Sequence, residues 1–264
     1  MEPGNKTRAP VPNPIMPDDG PDPHWLTERR IVVYSCTLFV AVVLASIGWV
    51  VLSENMVDWQ GRPLGFDFIT LWGVSHLGLS GHAVDAYDPL LLRPAIRIAV
   101  PAVRSEYRWF YPPPFYLLIL PVALLPYVVS YLTFMATTLA GYLIALRRIV
   151  RGKTAMWCVA GFPGLLMNFT QGQNGFLTAA LAGWALLCLG RWPVVAGLLI
   201  GSLVIKPHLA VLFPVALLAV GAWRVILAAA LSAATLTAAS IAILGVATLP
   251  AFWASLGTAQ SALE

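Results

Sequence analysis

The sequence predicts an all-α, polytopic transmembrane helical protein with about seven spans and a large first outer loop. Three observations predict it. Of 264 residues, 59% are hydrophobic and 11% charged, with a mean hydropathy of +0.78, which leaves too few polar groups to cover a water-soluble domain. The apolar residues gather into runs joined by short polar segments. The cations sit in those segments, where they orient spans, so the formal charge of +4 and pI near 9.1 do not point to nucleic acid. Cys36, Cys158 and Cys188 fall in three different runs with no metal-ligand spacing and are expected to be buried, unpaired thiols.

Residues 1–30 are expected to form a cytoplasmic tail, disordered over its Pro-rich, weakly hydrophobic stretch from Met1 to about His24. Residues 31–264 then form one transmembrane domain. Ile31 to Leu52 is uncharged and roughly 22 residues long, enough to cross a hydrocarbon core of about 30 Å. It lacks a small-residue cleavage site and exceeds a secretory apolar region in length, so it reads as an uncleaved anchor. Arg29 and Arg30 put its start in the cytoplasm.

Residues 53–114 must then lie outside as a compact extracytoplasmic loop, rich in acids, arginines, aromatics, Pro and Gly. The apolar stretch between Pro114 and Pro126 is interrupted by Pro121 and is too short to span, so it is expected at the outer surface or re-entering. Tyr127 to Leu146 crosses inward, leaving Arg147, Arg148, Arg151 and Lys153 cytoplasmic. Spans at Ala155–Phe169, Phe176–Leu189, Val194–Ile205, Leu209–Gly221 and Val225–Leu244 then alternate, and the C-terminus is left outside. Several of these runs have only about 12 to 15 residues and would cover roughly 20 Å of the core, so their ends must lie below the membrane surface. Non-helical backbone at that depth is tolerated where it lines a cavity. Two outward ends, Thr170–Gly175 and Ile205–Leu209, are therefore expected to line a cavity beneath the acidic loop.

The distribution of carboxylates narrows the chemistry. After Glu106 no Asp or Glu occurs until Glu264, so any carboxylate chemistry must come from the first part of the chain. Asp67, in GFDFITLW, sits between two aromatics at the start of an apolar stretch that could dock on the membrane. Partial desolvation there would raise its proton affinity and suit a base, while an N-cap of the helix beginning near Phe68 is the structural alternative. Asp85 and Asp88, in DAYDP, read as turn and capping residues. Lys206 is the one cation this topology puts at an outward end. With Pro207 opening the next helix it makes an anion site, unless it merely snorkels. His208 could assist or pack. Gln171, Gln173 and Asn174 offer neutral donors and acceptors to sugar hydroxyls or phosphate oxygens, or form a polar turn. Arg104, Arg108 and Tyr111 supply further donors near the outer surface for a phosphate, and headgroup binding by the arginines is equally compatible.

Four blocks in order carry a resemblance: DFITLW with GLSGHAVDAYDP, WFYPPPFYLLILPVALLP, QGQNGFLTAALAGWALL, and AGLLIGSLVIKPHLAVLFPVALL. Together, over roughly Phe66 to Gly221, they resemble glycosyltransferase family 87, polytopic enzymes of GT-C type that use polyprenyl-phosphate sugars. The resemblance implies an essential acid on the first outward loop, at Asp67. It also implies GQxN and KP positions at Gly172, Gln173, Asn174, Lys206 and Pro207. Similar chains continue through several more spans, so this one is expected to be a short or truncated member.

With no βαβ pattern and no Gly-rich phosphate fingerprint, the sequence offers no site for a nucleotide sugar, so the donor is expected to arrive in the membrane. The expected reaction moves a hexosyl (mannosyl-like) or pentosyl residue from a polyprenyl-phosphate sugar to a lipid or glycan hydroxyl outside the plasma (inner) membrane, with inversion. Asp67 would be the base. Lys206, with Arg108 and Arg104, would stabilise the departing phosphate. No DxD pair or His/Cys cluster calls for a metal, and no cofactor is expected. The rival readings are a non-catalytic protein that binds or transports a lipid phosphate, or an inactive truncated homologue. A transporter would more often carry repeated halves, which this sequence lacks.

Overall fold

The computed structural model describes residues 25–261, so the expected disorder of Met1–His24 lies outside the described residues. Thirteen α-helices account for most of the described chain: α1 (Glu28–Val51), α2 (Phe68–Leu79), α3 (Pro89–Ala99), α4 (Pro113–Ile119), α5 (Tyr127–Ile149), α6 (Lys153–Ala160), α7 (Pro163–Gln171), α8 (Gly175–Cys188), α9 (Pro193–Ser202), α10 (Pro207–Ala210), α11 (Leu212–Ala219), α12 (Trp223–Leu244) and α13 (Thr248–Ser261). Among the described residues the only β pairing is two isolated bridges, Glu54 with Val57 and Val57 with Pro63.

Three helices, α1, α5 and α12, are long and apolar enough to cross a membrane. At 1.5 Å per residue each reaches about 33 to 36 Å. Their surfaces say what surrounds them. Val33, Leu38, Val40, Leu44 and Ile47 of α1 are all exposed, and so are Leu227, Leu231 and Ile243 of α12. Apolar faces this extensive, left uncovered by protein, suit lipid. Thr27 opens α1 by accepting a hydrogen bond from the Arg30 amide at 3.4 Å. Arg147 and Arg148 close α5 in its last turn, where cations favour the helix dipole.

The remaining apolar helices are short, and the stretch expected as one span, Ala155–Phe169, is two. The chain breaks at Gly161–Phe162, ahead of Pro163, which opens α7. Gly161 presses on α1 so closely that a Cβ would stand 2.5 Å from the Ser35 carbonyl oxygen. A small-residue seam likewise joins α9 to α12: a Cβ on Gly197 or Gly201 would fall 2.5 or 2.3 Å from the backbone carbonyl oxygens of Val225 and Ala229.

The largest buried cluster lies in the loop between α1 and α5. Phe68, Ile69, Trp72 and Val74 of α2 pack against Leu92 and Ile96 of α3 and Phe115, Tyr116 and Ile119 of α4. The stretch expected to dock on the membrane is therefore enclosed by protein instead: a 12-residue apolar run can be sheathed by its own loop as well as by lipid. Pro121 explains the geometry beside it. It breaks the helical ladder into a 3-10 turn, Leu120–Leu124, and the freed carbonyls are taken by α2. Ser75 Oγ donates to Leu120 O at 2.7 Å, Trp72 Nε1 donates to Leu125 O at 3.0 Å, and Ala123 N donates back to Ser75 Oγ at 2.8 Å.

The chain beyond α12 has no counterpart among the expected spans. Gly245 ends α12, and α13 folds back over the loop core, with Phe252 against Tyr87 at 6.3 Å between ring centroids. The three cysteines are free, but Cys158 is exposed and Cys36 and Cys188 are half-buried, so the expected burial is not found. The apolar runs that hold them are sheathed only in part by other helices.

Candidate active site

A cleft of about 430 Å³ opens where the loop core meets the turn between α7 and α8, and Asp67, Glu106, Arg108, Tyr111, Gln173 and Asn174 line it. Asp67 stands at the N-cap position of α2, but its side chain makes no capping hydrogen bond. It is turned toward the turn 171–174 instead. Its amide donates to the Gln171 carbonyl oxygen at 2.7 Å, and its carboxylate accepts a hydrogen bond from Gln173 Nε2.

That turn is built to be close. Gly172 ends α7 in the left-handed region at φ 68°, and a Cβ there would lie 2.4 Å from Phe68 Cβ, so only glycine lets the turn meet α2. Asn168 holds the turn from below. Its carbonyl accepts from Gln173 N at 3.0 Å, its Nδ2 donates to Gln173 O at 3.2 Å, and its Oδ1 accepts from Gly175 N at 3.0 Å. Sequence reasoning missed Asn168. The signal for it is a lone amide in the apolar run PGLLMNF, three residues ahead of the polar turn.

The next residue of the turn reaches the opposite charge. Asn174 is 2% exposed, and its Oδ1 accepts a hydrogen bond from Lys206 Nζ at 3.0 Å. Its Nδ2, in the cleft wall beside Tyr111, has no well-formed hydrogen bond. Lys206 Nζ also lies 5.9 Å from the centroid of the Tyr111 ring. Gln173 and Asn174, neighbours in sequence, thus hold Asp67 on one side and Lys206 on the other. The two charges feel each other without forming an ion pair. Among the described residues the ion pairs are Arg62–Asp58 and Arg93–Glu106.

Burial pushes the Asp67 carboxyl above the ordinary 3.8, and the Lys206 charge pulls part of that shift back. Burial likewise raises the Tyr107 and Tyr111 hydroxyls, which stay protonated at neutral pH. Lys206 does not itself line the cleft and stands behind its wall, bonded to Asn174 and over the Tyr111 ring. A carboxylate with raised proton affinity and one hydrogen-bond donor can take a proton from a hydroxyl, while a cation behind the opposite wall favours an anion there. Among the described residues no three His, Cys, Asp or Glu side chains gather as a metal site would require.

The other sequence-derived candidates fall elsewhere. Gln171 serves through its backbone carbonyl, and its side chain is not part of the cleft wall. Arg104 lies against Gly61 in a neighbouring cleft with Glu54 and Asp58, because the loop turns between Val103 and Tyr107. His208 is exposed on α10 and does not line the cleft. The helix beginning at Pro207 runs only to Ala210, so its dipole adds little at Lys206. Asp88 caps α3, accepting from Leu90 N at 2.8 Å, as a residue before Pro89 is expected to do.

A family model described as Glycosyltransferase family 87 matches residues 109–264, more than half of the chain. The matched stretch contains Tyr111, the turn 171–174 and Lys206, while Asp67 precedes it. No curated protein and no solved structure matches the chain. With the all-helical fold and its three membrane-length helices, that match makes the chain a member of glycosyltransferase family 87, a membrane glycosyltransferase.

Proposed function

We propose that the enzyme transfers a hexosyl or pentosyl residue from a polyprenyl-phosphate sugar to a hydroxyl of a lipid or glycan acceptor outside the plasma membrane, inverting the anomeric centre. The observation that carries this is the shared turn: Gln173, bonded to Asp67, and Asn174, bonded to Lys206, stand side by side in the wall of one cleft. The acceptor hydroxyl gives its proton to Asp67 as its oxygen forms a bond to the anomeric carbon. The bond from that carbon to the phosphate oxygen breaks, and its electron pair leaves on the polyprenyl phosphate. Lys206, with Arg108 at the rim and the Asn174 amide, stabilises that charge. Tyr111 holds the Lys206 ammonium over its ring.

A lipid-linked donor is supported by what adjoins the cleft. A groove of about 470 Å³, almost wholly apolar, runs between α1, α5 and α7 and reaches Leu64 and Gly65, just ahead of Asp67. An isoprenoid chain can lie there while its phosphate enters the cleft. The topology that brings this about has seven spans: α1, α5, α6–α7, α8, α9, α10–α11 and α12, with residues 1–30 and the Arg147–Lys153 joint cytoplasmic and residues 53–114 outside. Cysteine placed at Asp85 should react with an impermeant reagent from outside and cysteine at Lys153 should not; the reverse pattern inverts the map. The function itself is tested by turnover of a polyprenyl-phosphate sugar by the purified protein. Transfer that is lost in Asp67→Asn supports it, and donor binding without any turnover leaves only the lipid-phosphate binder.

A further inference from the structure

The helices α1, α5 and α7, which line the apolar groove beside the cleft, also line a second, open cavity toward the other end of α5. Tyr127, at the start of α5, donates its hydroxyl proton to the Leu64 carbonyl at 2.5 Å and so ties that end to the Asp67 loop. Arg147 lies near the other end of α5, about 30 Å away at the helical rise. There a cavity of about 820 Å³ opens between α1, α5, α6 and α7, and its polar wall contains Arg147, Arg151 and Lys153. Its apolar wall includes Phe39 of α1, Leu143 of α5 and Trp157 of α6. The joint that folds the cations over it turns at Gly152, where φ is 115°.

The three cations have no acid to meet in this half of the chain. No Asp or Glu occurs between Glu106 and Glu264, none lines the cavity, and both described ion pairs lie in the outer loop. The inward bias of cations explains why Lys and Arg occupy this end of α5. It does not explain why three of them share one cavity with an aromatic and aliphatic wall. A ligand matching both walls is an anion with a hydrocarbon body. A small soluble anion would gain nothing from Phe39, Leu143 or Trp157.

We propose that this cavity binds an anionic phospholipid of the leaflet opposite the Asp67 cleft, its phosphate against Arg147, Arg151 and Lys153 and its acyl chains along Phe39, Leu143 and Trp157. The site rests on α1 and α5 crossing the membrane and not on the transfer reaction, so either reading can fail alone. The test uses the full chain, stripped of lipid in detergent and placed in phosphatidylcholine nanodiscs with graded phosphatidylglycerol. The readout is binding of labelled phosphatidylglycerol. Each cation near a lipid phosphate changes affinity about 5-fold, so Arg147→Gln/Arg151→Gln/Lys153→Gln should weaken binding on the order of 100-fold. Arg148→Gln/Arg191→Gln/Arg224→Gln removes equal charge from joints outside the cavity wall and should bind as the wild type does. Equal loss in both triple variants would mean diffuse surface charge and overturn the site. Displacement of the lipid by glycerol 3-phosphate at matched concentration would make it a free-phosphate site and also overturn it. Binding that emerges only when Asp18, Asp19 and Asp22 are changed to Asn would make the acidic tail the occupant. Should the triple variant not fold, Arg151→Gln alone should cost about 5-fold, and unchanged binding in that folded variant has the same force.

Discussion

Asp58 and Asp67 belong to one loop and have opposite environments. Asp58 is 6% exposed and surrounded by donors: Gln60 N and Arg62 N to Oδ1, each at 2.9 Å, Arg62 Nε to Oδ2 at 2.9 Å, Trp49 Nε1 to Oδ2 at 3.3 Å, and the Arg62 ion pair. Burial pushes its carboxyl up, but the bonds from Arg62, Trp49 and Gln60 outweigh that and hold it below the ordinary 3.8. Asp67 has one side-chain donor, Gln173, and a carboxyl raised by burial. Burial alone thus does not decide a carboxyl's proton affinity. What separates the two is how fully the carboxylate is satisfied, since a saturated one gains nothing by taking a proton.

The largest effect should come from exchanging the proposed base. Asp67→Asn should lower transfer about 10² to 10⁴-fold while melting and donor binding stay near wild type. Near-normal transfer would move the base to Glu106, the other carboxylate on the cleft. Gly172→Ala should come next. A Cβ at φ 68° against Phe68 displaces the turn that holds both charges, and a misplacement near 1 Å costs on the order of 10² in rate. Normal rates with a folded variant would show that the turn only joins helices.

With Lys206 as the proposed phosphate partner, Lys206→Met removes one charge-assisted hydrogen bond to the donor, worth about 1.5 to 3 kcal/mol, so donor affinity should fall roughly 10- to 150-fold. Lys206→Arg should restore part of it, because the planar fork does not reproduce a point charge. Equal donor affinity in wild type and Lys206→Met would leave Arg108 as the phosphate partner. Asp58→Asn should do the opposite of Asp67→Asn. It should cost about 1 to 3 kcal/mol of stability, seen in the melting curve, with little change in the rate per folded molecule. A rate loss without destabilisation would erase the contrast.

The smallest effect is in pH dependence. With Asp67 as the proposed base, transfer needs its ionised form, so the acid limb should lie above 3.8 and disappear with Asp67→Asn. Stability should respond to the two acids with opposite signs. The lowered Asp58 contributes stability above 3.8 that is lost as pH falls through its folded value. The raised Asp67 favours the neutral form, so its contribution is present below 3.8 and fades as pH rises through its folded value. Denaturation at graded pH in the two Asn variants checks both slopes.

The three membrane-length helices were legible because uncharged runs bounded by arginines or prolines leave few alternatives: α1, α5 and α12 lie close to Ile31–Leu52, Tyr127–Leu146 and Val225–Leu244. Asn174 and Lys206 were legible as candidates because polar residues stand out between apolar runs. Their contact was not, since it depends on how α9 and the turn after α7 pack. Arg104 and Arg108 look alike in sequence, and only the turn between them sends Arg108 to the Asp67 cleft and Arg104 to the Asp58 one. The sheathing of α2 was hidden because an apolar run carries no mark of whether lipid or protein will cover it. The helix α13 was hidden because Thr248–Ser261 mixes small, polar and aromatic residues with little periodicity.

The packing of α13 on the core of the loop between α1 and α5 sets the order in which the enzyme can be completed. Leu244, Phe252 and Ile205 belong to the same buried cluster as Phe68 and Trp109, although the ribosome makes them long after the loop between α1 and α5. At roughly 5 to 20 residues per second, the loop waits on the order of 10 s for its last partners. During that interval its aromatic core is partly uncovered, so the loop is the segment most dependent on a chaperone or on the membrane surface during biosynthesis. The Asp67 cleft, walled by that same core, is among the last features of the molecule to form.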